Sequence, residues 1–99
     1  KVYARKAFVG CSGISNECGV TTENANEVYL NELMLTRATK EAYILADHTK
    51  IGHNSSFRTC KIERITHLIT DEKAPAEILD VFREKGIQVH QVGKEDVKL

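Results

Sequence analysis

The chain has 99 residues, of which 41% are apolar and 28% charged, and this composition is typical of one globular domain. Its 14 basic and 14 acidic residues balance, so it lacks the basic surplus of a domain that grips a nucleic-acid backbone. No apolar run is long enough to cross a bilayer and no signal-peptide pattern is present, so we expect a cytoplasmic domain without a membrane partner.

Four short runs rich in apolar and β-branched residues predict four strands. They are residues 6–10, 41–46, 66–70 and 86–92, and a glycine or an aspartate marks the end of each. Such near-continuous apolar runs are typical of strands covered on both faces, as in a parallel sheet.

Two helices are predicted between these strands. Asn24 with Glu27 three residues later has the spacing of a capping box, and the helix that follows should end near Lys40. Pro75 suits the first position of the second helix and Gly86 its end. The positions expected to be buried are Val28, Leu30, Leu33, Met34, Leu35 and Ala38 in the first helix, and Ile78, Leu79, Val81 and Phe82 in the second.

The connection from Asp47 to Arg64 is long and polar, with one short strand predicted at residues 56–62. Long connections inside compact domains are more often functional than incidental. The resulting order, β-α-β-(loop and strand)-β-α-β, predicts an α/β fold: a mainly parallel open sheet with flanking helices. In such sheets ligands bind beyond the carboxyl ends of the strands, which indicates the loops at residues 10–13 and 47–52.

The first of these loops contains Gly10, Cys11, Ser12 and Gly13. Two glycines three residues apart let the backbone approach a ligand and expose its amide groups. An ordinary tight turn without a ligand is the alternative, and glycine spacing alone favours that turn. The third glycine of a dinucleotide fingerprint is absent.

Thr21 and Thr22 precede the first predicted helix. Hydroxyls and free amides beside the positive end of a helix can bind an anion. They can equally satisfy the unpaired amides of the helix itself, and the sequence leaves both interpretations open.

The second loop contains Asp47 and, three residues later, Lys50. A carboxylate can bind sugar hydroxyls and an ammonium group can reach a phosphate. The alternative is a solvated loop in which Asp47 caps a turn. A signal-receiver domain would need a further acidic cluster on the earlier loop, and that loop has none. Acid-base catalysis would need a second carboxylate beside Asp47, and Glu27 is expected to serve as a cap.

The three cysteines and four histidines predict no metal site. Cys11, Cys18 and Cys60 are odd in number and have no metal-ligand spacing, so reduced thiols that pack as small apolar groups are expected. No cofactor is expected either. The interpretation of Cys11 as a nucleophile remains open, although no histidine lies near it in the sequence.

Several segments together resemble the sensing domain of the DeoR family of bacterial transcription regulators. The most specific is ILADHTKIG at residues 44–52, which is similar to the family's LAD-x-[ST]-K-[FI]-G segment. The others are AFVG at 7–10, Gly13-Ile14, GVTT at 19–22, Asn24 and Glu27 with Met34, and LITD at 68–71. The resemblance runs from about Lys6 to Val92 and rests on the order and spacing of all these segments.

The resemblance implies the fold of ribose-5-phosphate isomerase and the coenzyme A transferases, used here for sensing and not for catalysis. Family members bind operator DNA through an N-terminal winged helix and a phosphorylated sugar or related metabolite through the C-terminal domain. Residues 1–99 would be the C-terminal part of that effector-sensing domain, which agrees with a start that lacks Met. The resemblance also favours a homo-oligomer.

The residues expected to bind the ligand are Gly10, Cys11, Ser12, Gly13, Thr21, Thr22, Glu27, Asp47 and Lys50, with none expected to be catalytic. The sequence departs from the family pattern at Ser12, where Asp or Asn is frequent, and at Asn31, where Lys is frequent. Two other functions remain open: a sugar-phosphate isomerase or transferase of the same fold, and a module that only dimerises.

Overall fold

A computed structural model describes residues 4–93, so the expected domain range of 1–99 extends beyond the described residues at both ends. The described elements are β1 (Ala4–Gly10), β2 (Gly13–Ser15), β3 (Gly19–Thr22), α1 (Ala25–Arg37), β4 (Ala38–Leu45), β5 (Phe57–Cys60), β6 (His67–Asp71), α2 (Ala76–Glu84) and β7 (Gln88–Val92). Single 3₁₀ turns lie at His48–Lys50 and Ile62–Arg64.

The strands form two sheets. The larger has the order β1-β4-β6-β7 and all its pairs are parallel, which confirms the predicted parallel α/β sheet. The smaller has the order β2-β3-β5 and is antiparallel. The sequence predicted no strand at residues 13–15 or 19–22, where β2 and β3 form a hairpin. These strands have three and four residues, too few to show the alternation that identifies a strand.

The first helix is shorter than predicted. It ends at Arg37, and β4 begins at Ala38, where the sequence predicted helix as far as Lys40. The reason is sheet pairing, because Ala38 is in register with Ala4 of β1 and the chain must be extended there. Pairing with a distant strand overrides the local helical pattern.

The predicted broad apolar face of α1 is buried at one position within the described residues. Leu35 is fully buried, whereas Leu30 and Met34 are exposed and Val28 and Leu33 are half-buried. The helix lies against β1, β3, β4 and β5, and the described chain covers one side of it. The expectation that Leu30 and Met34 are buried is therefore wrong within residues 4–93.

The second helix follows the sequence more closely. Leu79 and Phe82 are buried, and Ile78 and Val81 are half-buried. Gly86 has a φ of 90°, its N–H donates to the Arg83 carbonyl, and the next N–H donates to the Phe82 carbonyl. This pair of bonds is a Schellman motif, which ends the helix where the glycine predicted.

One face of the parallel sheet is covered and the other is not. Val9, Ile44 and Leu68 pack with residues of both helices in one hydrophobic core. Their neighbours in sequence point the other way, and Phe8 and Leu45 are exposed. We call this second surface the open face; its residues are Phe8, Tyr43, Leu45, His67, Ile69 and His90. The expectation of strands covered on both faces is not met within residues 4–93.

Candidate functional site

The loops after β1 and β4 lie side by side at the carboxyl edge of the parallel sheet. Gly10 and Leu45 are in register at the ends of these strands. Further along, Ile14 and Ile51 form a parallel bridge, and the N–H of Gly52 donates to the Ile14 carbonyl at 2.8 Å. The fold therefore brings together the two loops that the sequence indicated.

An open cleft of about 370 Å³ separates the end of β1 from α1. Its lining residues are Gly10, Cys11, Ser12, Glu27, Leu30 and Asn31. Four of these are predicted ligand residues, and Asn31 is one of the two departures from the family pattern. Glu27 is the one charged side chain among these lining residues, and hydroxyl and amide groups stand beside it.

The two glycines of the first loop serve different purposes. A Cβ atom at Gly13 would lie 2.3 Å from the carbonyl oxygen of His53 and 2.8 Å from the hydroxyl of Thr21. A Cβ atom at Gly10 would meet nothing within 4 Å. Gly13 therefore permits close packing of the chain against itself, and Gly10 faces open space in the cleft.

Thr21 and Thr22 are fully buried and their hydroxyls are used inside the protein. Thr21 donates to the Gly13 carbonyl at 3.1 Å and accepts from the N–H of Ser55 at 2.9 Å. These bonds join β3 to β2 and to the chain before β5. The structure places Thr21 beneath the cleft's loop and not on its lining.

Glu27 contributes to the cap of α1 indirectly, through the hydroxyl of Thr22. Its carboxylate accepts from the Thr22 hydroxyl at 2.9 Å, and that hydroxyl accepts from the N–H of Asn24 at 3.2 Å. The Asn24 side chain accepts from the N–H of Asn26 at 2.9 Å, as an N-cap does. Asn24 is the N-cap, as predicted, but the two reciprocal bonds of a capping box are not formed, because the side chain of Asn24 bonds Asn26 and its N–H bonds Thr22. Glu27 also lines the cleft.

Asp47 caps the 3₁₀ turn that follows β4. Its carboxylate accepts from the N–H of Thr49 at 2.8 Å, from the Thr49 hydroxyl, and from Nζ of Lys50 at 3.1 Å. Hydrogen bonds from the Thr49 hydroxyl, then from Lys50, lower the pKa of Asp47 from 3.8 to about 2. Asp47 is thus ionised, and its carboxylate is hydrogen-bonded to Thr49 and Lys50 of its own turn.

His48 and Asp71 form a pair that the sequence did not predict as part of the site. One carboxylate oxygen of Asp71 accepts from the backbone N–H of His48 at 2.8 Å and bonds ring Nδ1 at 2.9 Å. The hydrogen bond from the His48 side chain is the main reason that the pKa of Asp71 is lowered. Asp71 ends β6, so its place after a parallel strand was the signal available in the sequence.

Burial raises the pKa of the Cys11 thiol to about 12. The charge of Lys50 opposes this rise and that of Asp47 adds to it. At neutral pH Cys11 is a protonated thiol, and a thiol in this form is a poor nucleophile. Burial likewise raises the pKa of Cys60, to about 11.

Residues 4–93 contain no group of three or more histidine, cysteine or acidic side chains that could hold a metal ion. Over the same residues, no helix is long and apolar enough to span a membrane.

A family model described as the DeoR C terminal sensor domain matches residues 1–72. The chain belongs to this family. The match confirms the resemblance of the GVTT, ILADHTKIG and LITD segments, which all lie within it. The family's name describes a sensor, in agreement with the expectation that the domain is not an enzyme.

Curated relatives of this DeoR sensor domain are transcriptional regulators by name. It is 33% identical over 88 residues to the HTH-type transcriptional regulator GolR of Listeria innocua, covering 89% of this chain and 34% of the relative. It is 31% identical over 87 residues to the HTH-type transcriptional repressor GlcR of Bacillus subtilis, covering 88% and 33%. For the HTH-type transcriptional regulator GlpR of Haloferax volcanii, the identity is 32% over 82 residues, covering 83% and 32%. The chain spans about a third of the length of these relatives.

Proposed function

We propose that these residues are the C-terminal part of the effector-sensing domain of a transcriptional repressor of sugar metabolism. In the longer protein a winged helix N-terminal to this part binds operator DNA, and the protein acts in the cytoplasm as a homo-oligomer. The family match and the names of the relatives support this proposal. We also propose that the complete domain has the fold of ribose-5-phosphate isomerase.

The effector is a phosphorylated sugar or a related metabolite, and the cleft between β1 and α1 is its site. The observation that carries this proposal is the cleft's lining, where open backbone at Gly10 adjoins the side chains of Ser12, Glu27 and Asn31. Hydroxyl, carboxylate and amide groups are suited to the hydroxyls of a sugar.

The phosphate cannot favourably lie against Glu27, because two negative charges would then meet in the cleft. Lys50 lies on the neighbouring loop, and its positive charge acts on Cys11 in the lining of the cleft. We therefore assign the phosphate to the part of the cleft nearest Lys50. Lys50 is bound to Asp47 in the free protein, and a phosphate would compete with that carboxylate for it. Asn31 stands where the family pattern frequently has lysine, so among residues 4–93 we assign the cation for the phosphate to Lys50.

A thermal-shift screen of the complete sensing domain tests this function. Sugar phosphates and the corresponding free sugars should be compared in pairs, so that the phosphate's contribution is isolated. A ligand present at 100 times its dissociation constant adds about 2.7 kcal/mol to the free energy of unfolding. No stabilisation by any sugar phosphate at millimolar concentration would contradict the proposal.

The alternative of a sugar-phosphate isomerase or transferase is not favoured. The relatives are named as transcriptional regulators, and the buried Cys11 thiol is protonated at neutral pH. Turnover of a pentose or hexose phosphate by the intact protein, lost in Asp47→Asn, would restore that alternative.

A further inference from the structure

The 3₁₀ turn at His48–Lys50 is attached to the rest of the protein on both sides. Before the turn, the N–H of Ala46 donates to the Ile69 carbonyl at 3.0 Å and joins the chain to β6. After the turn, the N–H of Gly52 donates to the Ile14 carbonyl at 2.8 Å and joins the chain to β2. The turn therefore spans the gap between the two sheets.

Within residues 4–93, His48 is the residue of this turn whose side chain bonds a different element. Its backbone N–H and its ring Nδ1 both bond Oδ2 of Asp71, at 2.8 and 2.9 Å. The side chains of Asp47, Thr49 and Lys50 bond within the turn itself. We call the two bonds between His48 and Asp71 the His48–Asp71 tether.

The acceptor of this tether is itself held in place. The other carboxylate oxygen of Asp71, Oδ1, accepts from the N–H of Lys73 at 2.8 Å. Because the hydrogen bonds from His48 lower the pKa of Asp71, its carboxylate is ionised at neutral pH and both bonds of the tether are charge-assisted. A side chain fixed from two sides can in turn fix the group that it bonds.

Lys50 needs a fixed turn because the proposed function gives it two partners in succession. In the free protein its Nζ bonds Asp47 at 3.1 Å, and the phosphate of the effector would replace that carboxylate. The turn loses one of its internal bonds in this exchange. The tether involves neither Lys50 nor Asp47, so it can hold the turn in place while the ammonium changes partners.

We propose that the His48–Asp71 tether positions Lys50 for the phosphate of the effector. His48 and Asp71 are positioning residues, which act through the turn and do not touch the ligand. This inference rests on the proposed function, because it concerns the same phosphate site. Without the tether the turn adopts further conformations in which Lys50 faces away from the cleft. The apparent dissociation constant then rises by the inverse of the binding-competent fraction.

Direct contact between His48 and a phosphate is the other role that the structure could give this histidine. An open pocket of about 210 Å³ adjoins the tether, lined by His48, Asp71, Glu72, Lys73, Val92 and Gly93. Among the described residues, its lining shares no member with that of the cleft. Two carboxylates and one ammonium line this pocket, which disfavours a phosphate there. The structure therefore favours positioning over contact.

Two substitutions at His48 separate these roles. The amide nitrogen of asparagine lies at about the place of Nδ1, so His48→Asn can keep the side-chain bond to Asp71. The amide nitrogen of glutamine lies at about the place of Nε2, so His48→Gln loses that bond and stays polar and neutral. Asp71 is less suitable for this test, because its substitution also leaves the N–H of Lys73 without its acceptor.

Isothermal titration of the intact regulator with inorganic phosphate measures the effect. We expect His48→Gln to raise the dissociation constant about three- to tenfold, because a hydrogen bond to a charged group is lost. His48→Asn should stay within about twofold of the parent. His53→Gln is the matched control, at an exposed histidine just after the same turn, and it should bind like the parent.

Amide hydrogen exchange of the regulator without ligand gives a second readout. The N–H of Lys50 bonds the Asp47 carbonyl inside the turn, so it should exchange several-fold faster in His48→Gln than in the parent. The N–H of Gly52, which bonds Ile14 outside the turn, should exchange at the same rate in both. Unchanged exchange at Lys50 in His48→Gln would contradict the proposal.

Three patterns of phosphate affinity would overturn the proposal. Equal affinity of the parent, His48→Gln and His48→Asn would show that the tether does not position Lys50. A loss in His48→Asn that His48→Gln does not share would show direct contact through Nε2. An equal loss in both variants would show that the imidazole ring itself is required, and not its bond to Asp71.

The same titrations separate this inference from the proposed function. Phosphate binding that Lys50→Gln weakens and His48→Gln leaves unchanged would refute the tether and leave the sensing function in place. Absence of phosphate binding by the parent would refute both the phosphate site at Lys50 and this inference. The thermal-shift screen decides the sensing function independently of either result.

Discussion

Replacing Gly13 with alanine should destabilise the domain through steric conflict with its own backbone. The added methyl group would lie 2.3 Å from the His53 carbonyl oxygen and 2.9 Å from the carbonyl carbon. Contacts shorter than 3.0 Å force one side to move, and here a backbone carbonyl would have to move. The φ of Gly13 is not positive, so backbone strain does not contribute to the expected loss.

The size of the effect follows from overpacking of a buried site. Inserting one methyl group into well-packed surroundings costs about 1 to 3 kcal/mol. The same movement would also disturb the bond that Thr21 donates to the Gly13 carbonyl, so we expect about 2 kcal/mol.

Urea unfolding followed by circular dichroism measures this loss, and Gly10→Ala is the matched control. A methyl group at Gly10 meets nothing within 4 Å, so that variant should unfold within about 0.5 kcal/mol of the parent. A Gly13→Ala midpoint equal to that of the parent would refute the reasoning. Equal destabilisation by both variants would refute the distinction between the two glycines.

Three further predictions concern named side chains. Thr22→Val should cost about 1 kcal/mol in urea unfolding because it leaves the Asn24 N–H unpaired, whereas Thr59→Val should cost nothing because that buried hydroxyl has no partner. The Asp47 carboxyl should titrate near pH 2 by NMR. Since its pKa is lowered, its stabilising effect is complete above pH 3.8 and disappears as the pH falls through 2, so Asp47→Asn should flatten that part of the stability profile. A midpoint near 4 would contradict this. Iodoacetamide at pH 8 should alkylate Cys11 far more slowly than a free thiol, and a normal rate would show that its pKa is not raised.

Local patterns in the sequence were sufficient to identify the four strands of the larger sheet and the end of α2. Continuous apolar runs identified β1, β4, β6 and β7, and Gly86 identified the end of α2 because a positive φ is needed there. The hairpin of β2 and β3 escaped prediction because its strands, of three and four residues, are too short to show the alternation of a strand, although valine and threonine favour strands. The strand character of β3 comes from pairing on both sides, which a local pattern does not contain.

The site is harder to predict than the helices and strands, because it depends on contacts between residues that are far apart in the sequence. His48 and Asp71 are 23 residues apart, and their pairing requires β4 and β6 to be neighbours. The stacking of Phe8, Tyr43, His67 and His90 on the open face depends in the same way on the register of four strands. The exposure of Leu30 could not be predicted either, because an apolar helical stripe does not indicate which protein segment covers it.

The most direct test of the central claim is effector binding by the complete sensing domain with and without the Lys50 charge. Isothermal titration with the best sugar phosphate of the thermal-shift screen should show binding that Lys50→Gln weakens by at least about tenfold, equal to 1.4 kcal/mol. The free sugar should bind both proteins alike, and Lys61→Gln, at an exposed lysine outside the cleft lining, should bind like the parent. Unchanged affinity of Lys50→Gln for the sugar phosphate would contradict the account.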